Sequence, residues 1–197
     1  MKAFLTLITV ISAVCAATAA DIKLPAAQKS GGMTLREALN SRHTVRRFKS
    51  DALTHSQIAD MLWSANGINR PNGKRTAPSA MDRRDVMIFA ALPEGAYFYD
   101  PEQHLLRQIS DKDLRRYCGK FAAPCYFILV PDRAKHPREV FAAVDTGYVS
   151  QNIYLSAQAN GLGTCAMGSI ADRKKLADEL KLGENQPFLV HPVGIPE

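Results

Sequence analysis

Apolar positions recur along this chain with two periods, and the switches between them mark out its elements. Leu35, Ala38 and Leu39 fall on one face at helical spacing, and Thr34 with Glu37 has the spacing of a capping box, which predicts a short opening helix. Thr54 with Gln57 repeats that signal. Ile58, Met61, Leu62 and Ala65 then follow at i, i+3, i+4 and i+7 until Asn66-Gly67 stops the helix. Val86 to Leu92 reads as a buried strand, Pro93-Glu94-Gly95 as a turn and Ala96 to Tyr99 as a second strand, a hairpin. Asp111 to Tyr117 is weakly helical, and Cys125 to Val130 is a short apolar strand. The longest helical pattern runs from about Arg138 to Asn160, with Phe141, Val144, Tyr148, Leu155 and Ala159 on one face. It predicts a central helix buried in the core or against a second subunit, ended by Gly161 and Gly163. A last helix starts at Asp172, carries Leu176 and Leu180 and closes at Gly183; Phe188-Leu189-Val190 and Val193 form a terminal strand. Helices and strands in this order predict an α+β fold rather than strict βαβ alternation.

Between these elements lie two polar stretches. Residues 21 to 32 (DIKLPAAQKSGG) predict a flexible lead-in, and residues 67 to 85 a long loop rich in Gly, Pro, Asn and Arg, of the kind that is functional or mobile. The N-terminus predicts a targeting segment: Met1-Lys2 as a minimal charged region, an apolar run from Ala3 to Ala16, and small residues before Asp21. Residues 1 to 20 are therefore read as a cleavable signal peptide, 21 to 32 as the lead-in and 33 to 197 as one domain, with export to the periplasm or the cell exterior. The apolar run is too short to span a bilayer well, and no second hydrophobic span follows.

Composition narrows the function classes. With 25 basic against 19 acidic residues the net charge is +6, which favours an anionic ligand without the dense basic patch of a nucleic-acid binder. The five histidines are scattered without ligand spacing, so no metal site is predicted. Neither GxGxxG nor a P-loop is present. Cys118, Cys125 and Cys165 follow the targeting segment; buried thiols are the expectation, with redox chemistry through Cys118 and Cys125 the minor alternative.

The chemistry concentrates where the first helix runs into Arg42-His43-Thr44-Val45-Arg46-Arg47-Phe48. Three arginines, an imidazole and a hydroxyl within six residues suit a phosphate, because guanidinium donors make charge-assisted, often bidentate bonds to its oxygens. His43 has a plainer role open to it as a cap on the helix C-terminus. Two further stretches stand out: Arg75-Thr76-Ala77-Pro78-Ser79-Ala80, and Gly161-Leu162-Gly163-Thr164-Cys165-Ala166-Met167-Gly168.

With these three stretches in this order, the chain resembles the nitroreductase family of FMN-dependent oxidoreductases, over roughly Thr34 to Pro196. Asp145-x-Gly147 with Gln151-Asn152 on the long helix, and the closing Pro192 to Pro196, add to the likeness. The resemblance implies a central mixed or antiparallel sheet flanked by helices and an intertwined homodimer. It implies FMN as cofactor, with Arg42, His43, Thr44 and Arg46 at the phosphate and ribityl end. Pro78, Ser79, Ala80 and Asp82 would approach the ring from the partner subunit, and main-chain amides at Ala166, Met167 and Gly168 would face its polar edge near N5. No side-chain acid or base is implied, so no catalytic residue is assigned. The expected activity is reduction of a small electron-poor acceptor, nitroaromatic or quinone-like, with NAD(P)H the family's usual donor. The alternative is a flavin-binding or structural protein of the same fold that has lost turnover. Two departures stand against the family pattern. Asp82 stands where members often have Asn, with Arg83 and Arg84 beside it to neutralise it, and no basic residues follow the last strand, which predicts weaker FMN retention.

Overall fold

The computed structural model describes residues 20–197, and the targeting segment expected at the N-terminus lies, up to residue 19, outside them. Among the described residues seven strands form one sheet in the order β1-β4-β3-β2-β5-β7-β6, every neighbouring pair antiparallel. The strands are β1 (Ile22–Lys23), β2 (Val86–Leu92), β3 (Gly95–Asp100), β4 (Leu105–Ser110), β5 (Cys125–Pro131), β6 (Gly163–Thr164) and β7 (Leu189–Gly194). The helices are α1 (Leu35–Ser41), α2 (His55–Asn66), α3 (Arg115–Cys118), α4 (Glu139–Ala159) and α5 (Arg173–Glu179). Both predicted capping boxes form, at Thr34 with Glu37 and at Thr54 with Gln57, so α1 and α2 start where their side chains satisfy the first free amides.

Two cores sandwich the sheet. Ile58, Met61, Leu62 and Ala65 of α2 pack with Val149, Ile153 and Ala157 of α4 against Ile88, Ala90, Phe127 and Leu129. On the other face Leu114, Cys118, Leu176 and Leu180 cover Phe89, Ala91, Tyr126, Ile128 and Val130. Alternate residues of β2 and β5 thus enter different cores, which is why these central strands read as unbroken apolar runs rather than alternating ones.

Four elements differ from the sequence reading. The start of the lead-in is an edge strand: Ile22 and Lys23 pair with Leu106 and Leu105, and Leu24 is buried. Strand β4 escaped notice because only Leu106 is buried along it; its half-buried Arg107 is held by Asp100 across the hairpin at 2.7 Å. The face predicted for the long helix is its outer one. Val144 and Tyr148 are exposed, while the side turned inward carries Ala142, Asp145, Thr146, Val149, Ser150, Ile153, Ser156 and Ala157. On α1, Leu35 and Leu39 are likewise exposed and only Ala38 is buried.

An ordered edge strand makes a measurable claim about the lead-in. Replacing Leu24 with Ala removes side-chain volume from a buried site, a change that costs about 2–5 kcal/mol in cores. The expected outcome is a loss near the lower end of that range in the urea midpoint; an unchanged midpoint would return residues 21–32 to the status of a free tail.

Candidate functional site

Helix α1 ends where Arg42 leaves helical geometry (φ −55°, ψ 121°), its N–H still bonded to Ala38. Backbone bonds tie down the segment that follows: the Val45 N–H donates to the Thr164 carbonyl at 2.9 Å, and the Lys49 N–H to the Ile195 carbonyl at 2.8 Å. Gly163 makes this approach possible, since a Cβ there would lie 2.6 Å from that of Val45. The basic residues are therefore displayed along the β6 edge of the sheet. Arg42 and Arg46 form no ion pair among the described residues, and Arg47 meets Glu197 only at 3.9 Å with both side chains largely in solvent, a contact worth little. His43 places Nδ1 2.9 Å from the Ser41 carbonyl and so caps the end of α1, which leaves Nε2 outward.

What gathers this turn is Tyr154 of α4. The Arg42 guanidinium lies 5.2 Å from the centre of its ring, a cation–π contact, and the Thr44 hydroxyl lies 3.4 Å from its oxygen. The same phenol oxygen accepts the Ala166 N–H at 2.8 Å. Behind the ring, edge-on at 5.6 Å and 77°, sits His191, wholly buried on β7. The Thr164 hydroxyl gives its only proton to the Pro192 carbonyl, so it accepts from His191 Nδ1–H at 3.1 Å, while Nε2 accepts from Ser150 at 3.0 Å. Burial pushes this imidazole down to about 3, and it stays neutral.

The glycine-bearing segment offers fewer amides than its sequence promised. Ala166 gives its N–H to Tyr154, and Met167 exchanges both backbone bonds with Val190 at 2.9 Å. Gly168 is different. Because the Met167 carbonyl points at β7, the trans peptide aims the Gly168 N–H the opposite way, and it meets no acceptor among the described residues. Nothing lies within 4 Å of where a Cβ on Gly168 would be, and its carbonyl is held by Arg173 at 2.9 Å. The glycine also borders a cavity of about 600 Å³ that reaches Arg173, His136 and Phe188.

The third stretch stands apart. Ser79 Oγ accepts the Arg84 N–H at 2.8 Å, and Asp82 is locked to Arg84 at 2.7 and 3.1 Å, an interaction that holds its carboxyl below the usual range. Arg84, not Arg83, is thus the neutralising partner. Met81, Asp82 and Arg84 all have positive φ, 56°, 54° and 50°. The Ala80 N–H reaches both oxygens of Asp145 on α4, at 3.0 and 2.9 Å. No hydrogen bond or ion pair among the described residues joins this loop to the Arg42 turn. The structure thus brings Arg42, Thr44 and Ala166 onto one side chain and leaves Pro78 to Asp82 on a separate part of α4. Tyr154 and His191 were missed in the sequence, although a histidine inside the apolar run from Phe188 to Val193 signals a buried polar group in need of partners. The three cysteines are free and buried, and burial pushes the Cys118 and Cys125 thiols up, which removes the case for thiol chemistry.

Comparison with known proteins adds an independent line. Residues 39–195 match the model of the Nitroreductase family. A protein of Methanocaldococcus jannaschii, provisionally named a nitroreductase, is 29% identical over 88% of this chain and 96% of its own. The crystal structure of a provisionally named nitroreductase from Ralstonia eutropha JMP134 is 32% identical, covers 91% of this chain and 90% of its own, and superposes with a TM-score of 0.86. One from Desulfovibrio desulfuricans, solved in complex with FMN, shares 18% identity over 84% of this chain and 88% of its own, with a TM-score of 0.63; at that distance it speaks for the fold alone.

Tyr154→Phe isolates the phenol oxygen. It keeps the ring under Arg42 but strands the Ala166 N–H, for which an unmet partly buried donor costs about 1–3 kcal/mol. The expected loss lies in the lower half of that range by urea denaturation, and no loss would show that Ala166 finds water instead.

Proposed function

Because this chain belongs to the nitroreductase family, a family of flavin-dependent oxidoreductases, we propose that it binds FMN between the Arg42 turn and Gly168 and reduces small electron-poor acceptors. The observation that carries the reading is the gathering of Arg42, Thr44 and the Ala166 amide on Tyr154. Gly168 follows Ala166 by two residues, about 7 Å of extended chain at most, so one elongated molecule can reach from the guanidinium to the free amide. The donor set fits FMN at both ends. Arg42 and Arg46, unpaired, with the Thr44 hydroxyl and the outward edge of His43, would hold the phosphate and ribityl end. The Gly168 N–H, without a partner or a side chain in its way, would donate to the ring's polar edge near N5. When bound, FMN supplies the redox chemistry at N5, accepting reducing equivalents from a donor such as NAD(P)H and passing them to a nitroaromatic or quinone-like acceptor. The chain's part is to hold and orient, and no side-chain acid or base is assigned.

Pro78, Ser79, Ala80 and Asp82 would meet the ring from the partner subunit of a homodimer. Exposed apolar residues on two helices that pack together support that arrangement: Leu35 and Leu39 of α1, and Val140, Val144 and Tyr148 of α4. The leader-like N-terminus favours export, with the flavin acquired outside the cytoplasm. One observation favours a second reading, a flavin-binding protein without turnover: Asp82 is engaged by Arg84 and offers the ring no free donor.

Purified protein is expected to carry a flavin visible spectrum, or to acquire it on addition of FMN, and the colour should bleach with a reduced donor and return with a quinone. Binding without bleaching by any donor would favour the second reading. Arg42→Ala is expected to weaken FMN binding by about tenfold or more with the fold intact, as a charge-assisted bond is worth about 1.5–3 kcal/mol. Unchanged affinity would remove Arg42 from the site.

For the dimer, Val144→Glu places a charge on the exposed row of α4 and is expected to yield monomers in sedimentation together with loss of FMN. A wild-type protein that sediments as a monomer would sink the two-subunit site.

A further inference from the structure

We propose that Asp145 is a positioning residue for the loop bearing Pro78, Ser79 and Ala80, and that it acts as half of a carboxyl pair with Asp85 that shares one proton. The Ala80 N–H points between both Asp145 oxygens, at 3.0 and 2.9 Å, and is the bond that holds this loop to α4. Asp145 is buried, 1% exposed, and Asp85, at the mouth of β2, is 0% exposed with neither carboxyl oxygen meeting a donor. The backbone of Asp85 is fixed, because its carbonyl accepts the Asp132 N–H at 2.8 Å next to the β2–β5 pairing.

The Asp145 carboxyl lies within hydrogen-bonding reach of Asp85. Two ionised carboxylates can only accept, and side by side in a dry interior they repel. One proton between them turns the orphaned oxygens into an O–H···O⁻ bond and leaves a single charge, directed at the Ala80 amide. No neighbouring side chain among the described residues donates a hydrogen bond to Asp85 in place of that proton. His136, in the turn before α4, is 4% exposed and both its ring nitrogens are unpartnered; Lys135 reaches only the Arg84 carbonyl, at 3.5 Å, and Arg84 is engaged by Asp82. Burial first, and Asp145 second, push the Asp85 carboxyl up to about 6.

The sign follows from that displacement. A carboxyl that keeps its proton to higher pH in the folded chain favours the folded arrangement below the ordinary carboxylate range, and the advantage is lost as pH rises through about 6. Above that pH the pair carries two charges, and Asp145 is driven from the geometry that grips Ala80. The loop's hold is therefore set by protonation at a buried carboxyl pair. That it matters for flavin rests on the function proposed above; the latch itself does not.

The test is hydrogen exchange at the Ala80 amide in flavin-free protein, expressed as a protection factor from pH 5 to pH 8. A local readout is needed because neutral His191 makes global stability fall as pH drops below about 6.5 towards 3, against the direction expected from Asp85. The parent is expected to lose about tenfold in protection across this range, one unit's worth of proton linkage. Asp85→Asn, which supplies a permanent N–H in place of the proton, is expected to hold protection flat. Asp145→Ala should lose it at every pH and Asp145→Asn, which keeps an acceptor for Ala80, should recover most of it. His136→Gln removes an influence that lowers the Asp85 carboxyl, so it should keep the fall and move it to higher pH. A parental fall persisting in Asp85→Asn, a flat profile in His136→Gln, or full protection in Asp145→Ala would each overturn the proposal. With FMN added, affinity should weaken above pH 6 in the parent but not in Asp85→Asn. If no variant and no parent binds FMN, the flavin reading fails while the amide data still judge the latch.

Discussion

One phenol ring carries the arrangement of the Arg42 side of this molecule. Tyr154 must present its face to a guanidinium and its oxygen to a main-chain amide, and it can do both only if its ring plane is fixed. His191 fixes it from behind, and the histidine can be buried there because it is neutral, with both nitrogens satisfied by Ser150 and Thr164. A charged imidazole in that place would be costly to bury. The neutral wall leaves the charge of the cationic turn facing outward, which is what an anionic ligand requires.

Helix α4 ties two otherwise separate pieces of chain to one rigid element. Asp145 and Tyr154 are nine residues apart, about 13 Å along the axis, and each grips a different loop. The buried face of the helix is unusually polar, yet its groups are matched: Thr146 bonds back to Ala142 at 2.7 Å, Ser150 to His191 and Asp145 to Ala80. Such a face specifies register, because sliding the helix by one residue would strand several buried groups at once.

That same face accounts for what was and was not legible in the sequence. Capping boxes are local, so α1 and α2 were readable at Thr34 and Thr54. Central strands β2 and β5 were readable because both their faces are buried. The long helix was legible, but of the two burials open to its apolar face, core or second subunit, the structure excludes the core, since Val144 and Tyr148 point out and Asp145, Thr146 and Ser150 point in. The basic turn and Gly168 were visible as motifs, but Tyr154 was not, because its role depends on an edge contact with a residue 37 positions away on β7. Which amides near Gly168 are free is likewise a tertiary fact: it follows from the bridge between Met167 and Val190. The lead-in failed for the opposite reason, as two residues of strand are too few to show a period.

The loop from Pro78 to Arg84 shows how strain and burial are balanced around that helix. Three non-glycine residues with positive φ in a span of four each cost something, and such geometry persists only where surrounding bonds over-determine it. Here those bonds are the Asp82–Arg84 pair, the Ser79 hydroxyl on the Arg84 amide and the Asp145 grip on Ala80. The first is exposed and the second partly so, which leaves the buried carboxylate as the contact least weakened by water. The result of this effort is to hold the side chain of Met81 73% exposed at the loop's tip. On the proposed reading, Met81 faces a second copy together with the uncovered Leu35, Leu39 and Val144, and the strain in the loop is the cost of holding it there.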